Sequence, residues 1–268
     1  MTAPIPRDIP DLPAIPGIPT LLHSPVPATA VMSPAPRPLT AVFRLLTALA
    51  ATAGVAICLM LGSPTRVLSH FTIQTSILLA LVFAVSARRA WTARRPLPSG
   101  LIGAVLLYAT ITGLVHHLLL ANQASPFAAT APVTALITGD ATPSLWQAIA
   151  DLILHTAVPV AALVDWLFLT APGRLRLRQA SGWLLYPMAY LAFSLTRGAL
   201  LPPGAPDRYL YPFLDVAGHG YKAVLGNALL LGLAFYALAV LLVAVDHARP
   251  SLIRHRAKTG FRLQPPVG

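Results

Sequence analysis

A chain of 268 residues with 56% hydrophobic and only 10% charged side chains is too apolar for an ordinary soluble domain. Its net charge of +11 comes from 19 Lys and Arg against 8 acidic residues, all of them Asp. The cations sit in short blocks between apolar runs, which excludes the single basic face of a nucleic-acid binder, and the lone Cys58 excludes a disulfide framework or a thiolate cluster within the chain.

In chain order, residues 1–37 carry a proline every few positions and no basic segment followed by a long apolar one. They predict a disordered, polyproline-like tail, not a signal peptide. Six apolar runs follow, over roughly 38–62, 67–87, 98–121, 145–171, 180–201 and 218–245, each about the 20 residues that a helix needs to cross a bilayer. The expected fold class is all-α, an integral membrane bundle of six transmembrane helices over 38–246 with a basic cytoplasmic tail over 247–268. No repeat relates the two halves, which argues against a transporter built by duplication.

The basic blocks RRAWTARR, PGRLRLRQ and HARPSLIRHRAKTGFR lie between runs two and three, between runs four and five, and after run six. With Arg7, Arg37 and Arg44 they hold fifteen of the nineteen cations, so the positive-inside rule places both termini in the cytoplasm. Arg far outnumbers Lys, and Ala and Pro abound, which points to a GC-rich bacterial genome and a multi-pass protein of the cell (inner) membrane. Trp91, Trp166 and Trp183 fall at the expected inner boundary and Trp146 at the outer one, where indoles prefer to sit. Asp165 and Asp246, near inner ends, are read as neutralising Arg174, Arg176 or Arg249.

Sorted by depth, the remaining polar side chains collect in the outer half. Run two supplies Ser69, His70, Thr72, Gln74, Thr75 and Ser76, run three Thr110, Thr112, His116 and His117, and run four Gln147, Asp151 and His155. Run five adds Ser194, Thr196 and Arg197, and run six follows Asp215 with His219, Lys222 and Asn227. Ionisable groups in a membrane are costly and face a cavity or one another, so a polar pocket toward the outer side is expected. Asp151 and His155, at i and i+4, share a helix face on which the carboxylate can orient the imidazole.

The stretches HFTIQTSILLALVF, HTAVPVAALVDW and YPFLDV, with WLLYPMAYLAFSLTRG, resemble the androgen-induced protein and androgen-dependent tissue-factor-regulating protein (AIG/ADTRP) family. They are similar above all to its bacterial six-span relatives, called Pr-six-Pr, and the likeness runs from about residue 40 to 245. What the resemblance implies is an intramembrane threonine hydrolase acting on fatty-acyl esters, with Thr72 as nucleophile and His155 as base. Membrane lipids and a lipid ester are then the expected partners, with no cofactor and no metal.

By chemistry alone, a threonine hydroxyl needs a neutral imidazole within hydrogen-bond reach. By helix rise Thr72 starts about 7 Å below the outer start of its run and His155 about 15 Å below that of its own, so Thr75 and Ser76, one turn deeper, are alternative nucleophiles. His117, Arg197, Gln74 and Asn227 are candidate oxyanion donors, Arg197 being better suited to a carboxylate or headgroup. The loop PPGAPDRYLYPFLD is expected to cap the pocket, with Tyr211 and Phe213 packed downward and Asp215 near His219 or Lys222. Two other functions use the same residues: a metal- or haem-binding protein drawing on His70, His116, His117, His155, His219, Asp151 and Asp215, and a noncatalytic lipid binder or carrier. The oligomeric state is not encoded in any pattern of this kind.

Overall fold

A computed structural model describes residues 35–122, 124–126, 137–138, 144–203, 205 and 208–250. The expected N-terminal and C-terminal tails lie outside these, apart from their junctions with the helices. All helices below belong to the unit Pro36–Gly268. Among the described residues there is no strand, and the chain forms α1 (Pro38–Leu61), α2 (Pro64–Ser69), α3 (Phe71–Trp91), α4 (Ser99–Leu120), α5 (Leu145–Leu169), α6 (Leu177–Trp183), α7 (Leu185–Leu200) and α8 (Val216–Ala248).

Five of these, α1, α3, α4, α5 and α8, are long and apolar enough to cross a membrane. The fifth apolar run of the sequence, expected as one crossing, is divided at Leu184 into α6 and α7, of 7 and 16 residues. Pro187 explains the break. It has no N–H for the carbonyl of Trp183, four residues back, and its ring crowds that carbonyl. The Tyr108 hydroxyl donates to the freed Trp183 oxygen at 2.8 Å.

The second run also begins differently. His70 is extended, with φ −80° and ψ 137°, and separates the short α2 from α3. Because Arg37 N–H donates to Ala90 O at 2.9 Å, the start of α1 is level with the end of α3. At about 1.5 Å per residue α1 rises roughly 36 Å from there and α3 roughly 29 Å. The first turn of α3 is therefore recessed by about 7 Å below the Leu61 end of α1.

α1 packs against α3 and α5 through Ala48, Ala51, Gly54 and Cys58, all buried at three- and four-residue spacing. Small side chains at this spacing let helix backbones approach closely where no water drives them together. Gly54 admits the Leu154 side chain of α5. Between α4 and α6 the same role falls to Gly103, where an added Cβ would overlap the Trp183 ring, a ring held by its own N–H to Gly100 O at 2.8 Å. Gly103→Ala is expected to destabilise the protein by roughly 1–3 kcal/mol through overpacking. Thermal unfolding in detergent checks this, and an unchanged midpoint would mean that Trp183 yields without strain.

α8 is the least embedded helix, with 17% of its most apolar window buried. It starts at Asp215, whose carboxylate accepts from Ala217 N–H at 2.9 Å and Gly218 N–H at 3.2 Å, and it kinks at Gly220, where φ is +74°, a conformation glycine adopts without a Cβ clash.

At the end of the bundle away from Leu61 the charges pair differently from expectation. Asp165 is held by Arg44 of α1, through Nε at 2.7 Å and a terminal nitrogen at 3.0 Å, and accepts from Thr170 Oγ1 at 3.0 Å. Asp246 does pair with Arg249, and also accepts from Arg174 N–H, Leu175 N–H and Trp166 Nε1. Trp91 and Trp146 are exposed, but Trp166 and Trp183 are buried and serve as hydrogen-bonding core residues instead of interface anchors.

Candidate functional site

Thr72 is the second residue of α3, at the recessed first turn of that helix. His155 lies in α5 within a widened turn, Ile153–Ala157, where Val158 N–H reaches back five residues to Ile153 O. Pro159 follows, with no N–H for the His155 carbonyl, and such widened turns favour functional sites. A second widened turn ends α4 over His116–Leu120, closed by Ala121 N–H to His116 O at 2.8 Å.

These three departures from regular helix converge. Thr72 Oγ1 lies 3.4 Å from His155 Nε2, both groups buried. On the other edge of the ring, His155 Nδ1 is 3.1 Å from Asp151 Oδ1, although the N–H direction misses a hydrogen-bond alignment. The other Asp151 oxygen lies 3.5 Å from His116 Nε2. The His116 and His155 rings stack, with centroids 4.3 Å apart and planes 13° from parallel. Asp151 therefore serves two imidazoles at once. Its charge favours a proton on Nδ1 of His155, which leaves the Nε2 lone pair facing Thr72.

A cavity of about 440 Å³ opens from Thr72, Thr112, His116 and His155 and runs between α4, α7 and α8. Its polar end is formed by these residues and the phenols of Tyr190 and Tyr211; apart from Tyr236 the rest is Leu, Met, Phe and other apolar surface, with Arg, Lys and Asp absent from the lining. Met188, Leu229 and Leu233 line it and are also more than half exposed, so it opens sideways onto the apolar flank between α7 and α8. At roughly 30 Å³ for each water-sized group, it has room for a chain of about fifteen.

Tyr211 closes the Leu61 end of the cavity. Its ring stacks on Phe213 at 5.2 Å and meets His70 edge-on at 5.8 Å. Its hydroxyl lies against the Thr72 side chain, the Phe71 and Thr72 backbone at the start of α3 and the Tyr190 hydroxyl. Burial raises the phenol above its ordinary pKa, which keeps it protonated as a donor.

Several residues singled out in the sequence fall elsewhere. Thr75 donates to Phe71 O at 2.9 Å and lies 3.3 Å from Thr112 Oγ1, and with Ser76 it borders a narrow gap toward α5 instead of the large cavity. Gln74 joins Leu68 O to the Tyr186 hydroxyl. His117 turns outward to Thr156 Oγ1 at 3.0 Å, and Arg197 donates to Arg208 O at 3.3 Å. Gln147 is half of a capping box with Ser144 at the start of α5. Asp215 caps α8, His219 is exposed and faces the Asp215 carbonyl, and Asn227 does not line the cavity. Conversely, sequence reading places His116 in the polar pocket and among possible metal ligands but gives it no part in the hydrolase site, and it passes over the hydroxyl of Tyr211. The signals are present in the HH pair and in YPFLDV, but nothing in the sequence predicts the widened turn that sends His116 inward and His117 outward.

The fold and the apolar helices define a helical membrane protein whose buried polar cluster sits at one end of a hydrocarbon-lined cavity. No protein-family model, curated protein or solved structure matches the chain.

Proposed function

We propose that this is a bacterial cell-membrane lipid-ester hydrolase with Thr72 as nucleophile and His155 as general base, akin to the AIG/ADTRP family. The observation that carries the reading is the 3.4 Å approach of Thr72 Oγ1 to His155 Nε2 across 83 residues of sequence, at the polar end of a largely apolar cavity. This approach is slightly longer than a productive hydrogen bond, as is common before substrate tightens a catalytic pair. In the proposed topology α6 and α7 together make a sixth crossing broken at Leu184, and the basic loops and both termini face the cytoplasm.

In this mechanism the ester enters from the lipid side between α7 and α8 and lays its acyl chain along the cavity. Thr72 Oγ1 attacks the carbonyl carbon as its proton passes to His155 Nε2. The bond from that carbon to the alcohol oxygen breaks, and the alkoxide takes the proton from His155. Water then attacks the threonyl ester, His155 accepts its proton, and the proton returns to Thr72 as the fatty acid leaves. Asp151 orients the ring and offsets its transient positive charge. Asp151→Asn is expected to lower kcat about 10- to 100-fold with little change in KM, measured with 4-nitrophenyl octanoate; wild-type kcat would remove Asp151 from the mechanism.

One observation favours a second reading: ligand atoms of His116, Asp151 and His155 lie within 4.8 Å of one another, close enough to gather around a metal ion. Ring orientation opposes it. An imidazole binds a metal in its own plane, and two rings stacked at 4.3 Å and 13° place their lone pairs in nearly parallel planes, so an ion in one plane stands well outside the other. Labelling the detergent-purified protein with a fluorophosphonate and mapping the adduct decides between them. The hydrolase reading expects an adduct on Thr72 that resists chelators. An unlabelled protein that binds one equivalent of zinc and loses it in His116→Ala would establish the metal reading.

A further inference from the structure

A hydrolase of the proposed kind must stabilise the oxyanion of its tetrahedral intermediate, and the donors that the sequence nominates, His117, Arg197, Gln74 and Asn227, are all engaged or placed away from the cavity. Other hydroxyls at its polar end are committed as well. Thr112 faces Thr75 Oγ1 at 3.3 Å, and Tyr190 donates to Ser69 O at 3.0 Å.

The geometry points to Tyr211 as the oxyanion donor, with its ring fixed beside the first turn of α3. This rests on the Thr72 and His155 reading and adds a catalytic residue to it. Three observations converge. The oxyanion is bonded to the same carbon as Thr72 Oγ1, so a hydroxyl that lies against Thr72 and lines the same cavity is within reach of it. The ring is locked by stacking on Phe213 and by edge contacts with His70 and Tyr190, so the donor is in place before charge develops, which is what makes such a contact strong. The phenol also sits at the N–H end of a 21-residue helix whose N-cap, His70, touches its ring and supplies no side-chain hydrogen bond. That end of the helix dipole draws electron density from the phenol, making it a better donor to a developing negative charge. A neutral donor also suits an apolar cavity, where an unpaired guanidinium would be costly to bury.

The test compares purified wild type, Tyr211→Phe and Tyr186→Phe on 4-nitrophenyl octanoate. Tyr186 is a control: its hydroxyl binds Gln74 at 2.8 Å, close to the same turn but outside the cavity. Tyr211→Phe keeps the ring and its stacking, so its melting midpoint should stay near that of wild type while kcat falls roughly 100- to 1000-fold with KM within a few-fold. Tyr186→Phe should retain kcat within about threefold. The inference is overturned if folded Tyr211→Phe keeps kcat, if the loss lies in KM instead, or if Tyr186→Phe loses as much, since the defect would then lie in the α3 turn as a whole. If Tyr211→Phe is poorly folded, the rate of fluorophosphonate labelling at Thr72 in the remaining folded fraction decides the matter, because the phosphoryl oxygen needs the same donor: slow labelling supports the inference and wild-type labelling overturns it. Wild-type protein that neither turns over nor labels would instead defeat the Thr72 and His155 reading itself, and this inference with it.

Discussion

Thr72→Ala and His155→Ala should each reduce ester hydrolysis to near background, a loss on the order of 10⁴-fold or more, while expression and melting midpoint stay close to wild type. Thr72 can lose its hydroxyl at little structural cost because that hydroxyl's principal neighbours are His155 and Tyr211, both parts of the same site. The two groups act in one proton transfer, so the double variant should be hardly slower than either single one. Thr72→Ser is the informative companion. It keeps a nucleophile and should retain a measurable fraction of the rate, whereas Thr75→Ala, which removes a hydroxyl bonded to Phe71 O, should leave hydrolysis largely intact. Full activity in well-folded His155→Ala would reduce the histidine to a packing residue and end the hydrolase assignment. Loss of labelling in Thr75→Ala but not in Thr72→Ala would move the nucleophile one turn along α3.

The largest stability effect is expected at the opposite end of the bundle. Arg44 and Asp165 are both nearly inaccessible and bonded through two N–H groups at 2.7 and 3.0 Å. Asp165→Ala leaves the guanidinium buried beside a neutral acceptor, Thr170 Oγ1, 3.1 Å from its far nitrogen, and an uncompensated buried charge costs about 3–5 kcal/mol. For a domain of this size that is a fall in melting midpoint of roughly 6–20 °C. Replacing both partners, as in Arg44→Met with Asp165→Leu, removes the charges and the desolvation they suffer together, so the double variant should recover most of the loss. Additive destabilisation in the double variant would show that the pair contributes shape and not charge. Catalysis in whatever fraction stays folded should be unaffected, since neither residue lines the main cavity.

Much of the site is legible in the amino-acid sequence. Asp151 and His155 stand one turn apart in an apolar run, which demands a partner for each, and the family resemblance points to Thr72. The depth argument for Thr75 and Ser76 fails because it treats run two as one continuous helix. The extended His70 divides it, so depth does not follow from counting residues along the run, and Thr72 Oγ1 comes to 3.4 Å from His155 Nε2. His116 is obscured by its neighbour: two adjacent histidines on a regular helix diverge by about 100°, and sequence does not tell which of them turns inward. Charged and amide side chains are the donors that a sequence offers first for an oxyanion, while the hydroxyl that touches Thr72 belongs to a tyrosine about 140 positions later, legible only as part of a lid.

Composition and run length by themselves determined that the chain is helical and membrane-embedded, because some twenty successive apolar residues have few other ways to satisfy their backbone in lipid. They also gathered the hydroxyl and imidazole side chains toward one end of the bundle, apart from the Asp165 and Asp246 ion pairs at the other, since polar groups are too costly in hydrocarbon to be scattered without partners. Tertiary structure alone decided which groups meet. The i and i+4 rule pairs Asp151 with His155 within one helix, but the Thr72 contact, the stacking of His116 on His155 and the placement of Tyr211 depend on where helices start, widen and break. Those features come from single residues, Pro159, Pro187 and the extended His70, whose effect on neighbouring helices emerges only when the helices are packed together.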